Sequence, residues 1–96
     1  MVTVTKSSGN VFKDLGFDAA ESENLKLRVQ LMLELETLIH KERLTQSEAA
    51  ELLGIHQSRV SDLMRGKIGR FSIDMLVKLL TRAGRKVEMK VKRNAA

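Results

Sequence analysis

Thr45 to Gly66, TQSEAAELLGIHQSRVSDLMRG, is the stretch that decides the fold. It reads as a helix, a tight turn and a second helix. Gln46 opens the first helix, and Ala50 follows about one turn later, where a second helix must cross closely and only a small side chain fits. Gly54 falls at the turn, where a positive φ is cheap only for glycine. Val60 and Leu63, three apart, form the buried face of the second helix. Gln57, Ser58, Arg59, Ser61, Asp62 and Arg65 are left on its outer faces, a row of hydrogen-bonding groups able to address base edges and phosphates. An ordinary helical hairpin with a polar outer face shares the outline. It does not require this joint pattern of Gln, small Ala, turn Gly, Val and Leu.

Charge supports the first reading. The chain has 96 residues and a formal net charge of +5, which fits one domain with a modest core. From Met1 to Leu44 there are six Lys and Arg against seven Asp and Glu, a net −1; from Thr45 to Ala96 there are eleven against five, a net +6. A basic half that contains the motif is the electrostatic footprint of a nucleic-acid partner, although a basic surface kept for solubility gives the same sum.

Other classes fall away. Without cysteine there is no disulfide frame and no thiolate metal site, which fits a reducing cytoplasm. No apolar run approaches the ~20 residues of a membrane span, and MVTVTKSSGN lacks the apolar core of a signal peptide. The two histidines, His40 and His56, fall on different elements, so no metal site is expected. Nothing suggests a catalytic constellation or a cofactor loop; Ser7-Ser8-Gly9 reads as a flexible stretch.

Outside the motif, Val2 and Val4 alternate with polar residues, a weak strand signal. Asp18, with Glu21 three residues on, caps a long helix of roughly 19–42 that contains neither proline nor glycine. Lys41 and Arg43 suit the dipole at its end. Thr45 with Glu48 repeats the cap spacing and starts the next helix, about 46–53. His56 stands at the head of the following helix, about 57–65, where Ser or Thr caps best; its ring either offers a nitrogen to a phosphate or is a tolerated surface group. Ser72 caps a last helix of about 73–83, with Ile73, Leu76, Val77 and Leu80 at core spacing and Gly84 as its stop. Lys86 to Lys92 alternates with period two and reads as a strand.

Two features ask for partners. The strand needs a second one: Val2-Thr3-Val4 of the same chain, the same strand of a second copy, or another protein's sheet edge. The long helix shows one apolar face at Leu25, Val29, Met32 and Ile39 and another at Leu27, Leu31, Leu35 and Leu38, wider than the ~100° stripe of a surface helix. Either Phe12, Leu15 and Phe17 fold back over the second face, or a second molecule covers it.

The motif resembles the helix-turn-helix of Cro-type repressors, the XRE family, and the likeness extends to Arg65-Gly66-Lys67, where that family leaves its recognition helix and touches the DNA backbone again. From about Ser8 to Val91 the whole pattern is similar to compact XRE-type proteins, many of which resemble HigA-like antitoxins of type II toxin–antitoxin modules. The resemblance implies a mainly α, lambda-repressor-like bundle of four to five helices with a short C-terminal strand. It also implies a homodimer that represses its own promoter at an inverted-repeat operator in double-stranded DNA, and a RelE/HigB-like ribonuclease toxin as protein partner; close relatives also occur as stand-alone regulators. Carried onto this chain, Gln46 would meet a phosphate, Gln57, Ser58, Arg59 and Asp62 would face the major groove, and Lys67 and Arg70 would flank on the backbone. Asp62 fits this imperfectly, because DNA repels a carboxylate unless it accepts from a cytosine amino group or pairs with Arg59. The expectation is therefore a cytoplasmic, nucleoid-associated, non-enzymatic regulator. A leader occupies 1–17, the DNA-binding domain 18–85, and a strand with its tail 86–96.

Overall fold

The computed structural model describes residues 2–5 and 15–93. A short strand, β1 (Val2–Thr5), is followed by the long helix α1 (Ala19–Lys41) and the motif helices α2 (Gln46–Leu53) and α3 (Gln57–Met64). A 3-10 turn (Ile68–Arg70), α4 (Ile73–Arg82) and β2 (Val87–Lys90) complete the chain. The fold is the mainly helical one expected, with four α-helices and a short C-terminal strand.

Each helix begins where its cap dictates. The Asp18 carboxylate accepts the Glu21 N–H at 2.7 Å, and Ser72 Oγ accepts the Met75 N–H at 3.1 Å. Phe71 and Leu76 stand on either side of that second cap at staple spacing, and both are buried. At the other end of α1 the chain reverses through Arg43, a non-glycine residue at φ +54°, and the Leu44 N–H closes the turn on the Ile39 carbonyl at 3.0 Å.

Both apolar faces of α1 are covered within one chain. Leu31 and Leu35 are fully buried, and Leu38, Met32 and Ile39 nearly so. They join Leu53, Val60, Leu63, Phe71, Leu76, Leu79 and Leu80 in one core, with α1 packed against α3, α4, the 3-10 turn and β1. Burying a leucine of this kind contributes about 1.5–3 kcal/mol relative to leaving it in water. Two expectations about the second face are corrected here. Leu31, Leu35 and Leu38 are core residues rather than a surface for a second copy, and Leu27 packs against them. Leu15 and Phe17 do not fold back as a cover, since they stand 73% and 39% exposed; Phe12 lies outside the described residues. The core is satisfied by α4, which supplies Leu79 in addition to the expected Leu76 and Leu80.

The C-terminal strand finds the first of its three expected partners. β1 and β2 pair in parallel, with Val2 opposite Val87, Thr3 opposite Glu88, Val4 opposite Met89 and Thr5 opposite Lys90. A parallel pair needs a long crossover, and here the four helices form it. The sheet has two strands. Among the described residues, the outer edge of each is therefore unpaired.

Candidate nucleic-acid interface

The two helices of the motif are set by reciprocal local bonds. Thr45 Oγ1 accepts the Glu48 N–H at 3.1 Å while Glu48 Oε1 accepts the Thr45 N–H at 2.9 Å, a complete capping box. These bonds hold the Glu48 carboxyl below its ordinary range; the Thr45 backbone N–H is the main cause and the Thr45 hydroxyl the next. The cap leaves Gln46 exposed on the first turn of α2. Gly54 ends α2 at φ +67° and ψ 34°, in the left-handed region. Ala50 is 8% exposed where α2 and α3 pack together, and its neighbour Ala49 is fully buried in the same core.

His56 caps α3. Its Nδ1 accepts the Ser58 N–H at 3.2 Å and lies 3.0 Å from Ser58 Oγ. One ring nitrogen is thus committed to the helix terminus, despite the departure from Ser or Thr. Val60 and Leu63 are buried at 0% and 1%. Gln57, Ser61 and Arg65 lie four apart and make one stripe along the helix, beside Ser58; Gln57, Ser58 and Arg65 are exposed and Ser61 is half-buried.

Two residues expected on the outer face instead direct their polar groups to the protein. Arg59 places its guanidinium 4.6 Å from the centre of the Phe71 ring and donates to the Arg70 carbonyl at 2.8 Å and to Met75 Sδ at 2.9 Å. Asp62 is buried, and its carboxylate pairs with Lys67 at 3.6 Å and Arg70 at 3.3 Å, not with Arg59. Lys67 and Arg70 themselves stand exposed at the exit of α3.

Three arginines outside the motif make long-range contacts that nothing in local spacing signals, and one of them, Arg82, reaches the motif itself. Arg28 on α1 donates to the carbonyls of Ile68 and Phe71 at 3.2 and 3.4 Å. Arg82 at the end of α4 donates to the Leu53 carbonyl at 3.1 Å. Arg85 pairs with Glu42 at 3.8 Å. Elsewhere, among the described residues, no helix is long and apolar enough to cross a membrane, and no cluster of His, Asp or Glu is placed to hold a metal ion.

A capped helix, a left-handed glycine turn and a second helix with a polar stripe, buried on its other side by a helical core, define a helix-turn-helix DNA-binding domain. The family model of the helix-turn-helix domain matches residues 11–92. A solved structure assigned to the XRE family of transcriptional regulators is 32% identical and superposes with a TM-score of 0.72, covering 78% of this chain and 84% of that one. No curated protein matches the chain. The chain belongs to the helix-turn-helix domain family and is a DNA-binding regulator of XRE type.

Proposed function

We propose that the protein is a homodimeric repressor that reads an inverted repeat, and that it serves as the autoregulating antitoxin of a RelE/HigB-like toxin. The reading rests chiefly on the stripe of Gln57, Ser61 and Arg65 with Ser58 beside it. These groups are short or unbranched, available to solvent, and carried on a helix fixed at its head by His56. Gln57 and Ser58 reach base edges, where an amide pairs with adenine and a hydroxyl with either partner. Gln46 and His56 meet phosphates at the helix heads, Lys67 and Arg70 meet them past the end of α3, and Arg65 at the C-cap supports them. Arg59, stacked on Phe71, contributes through whatever part of its guanidinium remains free of the Arg70 carbonyl. A twofold axis would set two such helices in successive major grooves, ~34 Å apart.

The antitoxin part is supported by the edges of the β1–β2 sheet, which are unpaired among the described residues and offer backbone groups to another strand. The second reading, a stand-alone regulator without a toxin, needs only the transcriptional-regulator role to which the similar solved structure is assigned. Co-purification with the product of a neighbouring gene, followed by footprinting on the gene's own upstream DNA, tests both. Protection of two half-sites one helical turn apart supports the repressor. A co-purified small ribonuclease supports the antitoxin, and protection with no bound protein leaves the stand-alone regulator.

A further inference from the structure

We infer that Asp62 is a positioning residue for the phosphate-binding cations and not a reader of bases. The inference rests on the DNA-binding reading above. The Asp62 side chain is 12% exposed, whereas those of its partners Lys67 and Arg70 are 40% and 59% exposed. The carboxylate is therefore the inner member of the cluster and the two cations are its outer members. A group so placed cannot reach a cytosine amino group without unpacking, and the cations cover the charge that DNA would otherwise repel.

The cluster also has the form of a brace. The Lys67 N–H donates to the Asp62 carbonyl at 3.0 Å, and the Arg70 N–H donates to the Lys67 carbonyl at 3.0 Å. Arg70 Nη1 returns to Asp62 Oδ2 at 3.3 Å, while the Arg70 carbonyl is held by Arg59. The Lys67–Arg70 segment is thus tied to α3 through backbone and side chain alike. Arg70 has further N–H groups beyond Nη1, and Lys67 has three donors, so neither cation is used up by one carboxylate. Holding two long side chains in place before DNA arrives lowers the ordering cost of binding. Simple charge counting predicts the reverse: deleting a negative charge beside DNA should tighten binding.

The test is a cycle of variants on two probes, a random-sequence duplex and a duplex selected by the wild-type protein from a randomised pool. Asp62→Asn is expected to weaken both probes alike, by about fivefold or more, the scale of two side chains newly ordered on binding. In a Lys67→Ala, Arg70→Ala background the same change should leave affinity unaltered or slightly raised, because no cation remains to position. Tighter binding of Asp62→Asn in the wild-type background would overturn the inference in favour of plain repulsion. A loss confined to the selected duplex would overturn it in favour of base reading, and an equal loss in both backgrounds would make the role merely structural. If Asp62→Asn does not fold by circular dichroism, Asp62→Glu replaces it: the charge is kept, so affinity should stay within about threefold of wild type, and a loss beyond about tenfold overturns the inference. Failure of the wild-type chain to bind any duplex would sink the DNA reading itself, and the inference with it.

Discussion

Arg82 Nη1 donates to the Leu53 carbonyl at 3.1 Å, which lays the last helix's guanidinium against the turn at Gly54. The carbonyl is one that α2 leaves unpaired at its end, so Arg82 both caps α2 and ties the motif to α4. A Cβ added at Gly54 would lie 3.4 Å from Arg82 Nη1, with the backbone already at φ +67°. Gly54→Ala should cost about 1–2 kcal/mol from the left-handed backbone. Arg82→Ala should cost about 1 kcal/mol from the lost bond. Urea titrations of both variants check this; an unshifted midpoint for Gly54→Ala would mean the turn relaxes out of the left-handed region.

Gln57→Ala should weaken the selected duplex by about 1–3 kcal/mol and random DNA hardly at all, since a bidentate amide contact discriminates bases. Lys67→Ala should weaken both and lower the salt slope by about one. Equal effects of Gln57→Ala on the two probes would remove α3 from base recognition.

Leu63 is 1% exposed and Ala50 8% exposed, within one core. Leu63→Ala should cost about 2–5 kcal/mol, and Ala50→Leu about 1–3 kcal/mol by overpacking the approach of α2 and α3. Melting curves of the two variants decide; Ala50→Leu at the wild-type midpoint would show that the helices can spread.

The Glu48 carboxyl is held below its ordinary value of 4.5, chiefly by the Thr45 N–H. A depressed folded value means the charged cap stabilises the protein above pH 4.5 and loses that contribution as pH falls through the lowered value. Glu48→Gln keeps an acceptor without the charge. The stability gap between wild type and Glu48→Gln should be constant at neutral pH and shrink on acidification. Gaps that stay equal from pH 7 to about pH 3 would show that the charge of Glu48 adds nothing to the cap.

Removing everything after Arg85 deletes β2 and strands β1. The remainder should keep its helical signal in circular dichroism, because the core residues of α1, α3 and α4 are untouched. If the sheet joins two copies, the truncated chain sediments as a monomer and its DNA affinity drops sharply, one half-site having lost the second set of phosphate contacts. A dimer as tight as the full-length chain would exclude the sheet as the interface.

What could be read from the sequence was local. The Thr45–Glu48 box, the Gly54 turn and the Val60–Leu63 pair depend on residues within four of one another, and each is present. What could not be read depends on distant partners. Asp62 lies far round the helix from Val60 and is nevertheless buried, and only Lys67 and Arg70, arriving from beyond the helix, make its burial tolerable. Arg82 and Leu53 are separated by 29 positions. The two apolar faces of α1 do not say by themselves what covers them, and the answer lies about 40 positions on, in α4, which brings Leu79 as well as Leu76 and Leu80 to the core. His56 shows the limit of propensity: a residue seldom chosen as a cap still caps when its ring nitrogen meets the Ser58 N–H.

The parallel pairing of Val2 with Val87 also sets a schedule. The first strand to be made is joined to one made 85 positions later, after every helix has been synthesised. At ~5–20 residues per second, β1 is on hand for roughly 4–17 s before its partner exists. The two motif helices have the most local contacts, and α3 is complete at Met64, 23 positions before Val87. The core that buries them waits for α4, which ends at Arg82, five positions before β2 begins. The sheet is therefore the last contact of the chain to be made, and it closes a fold whose helical core is completed only just before it.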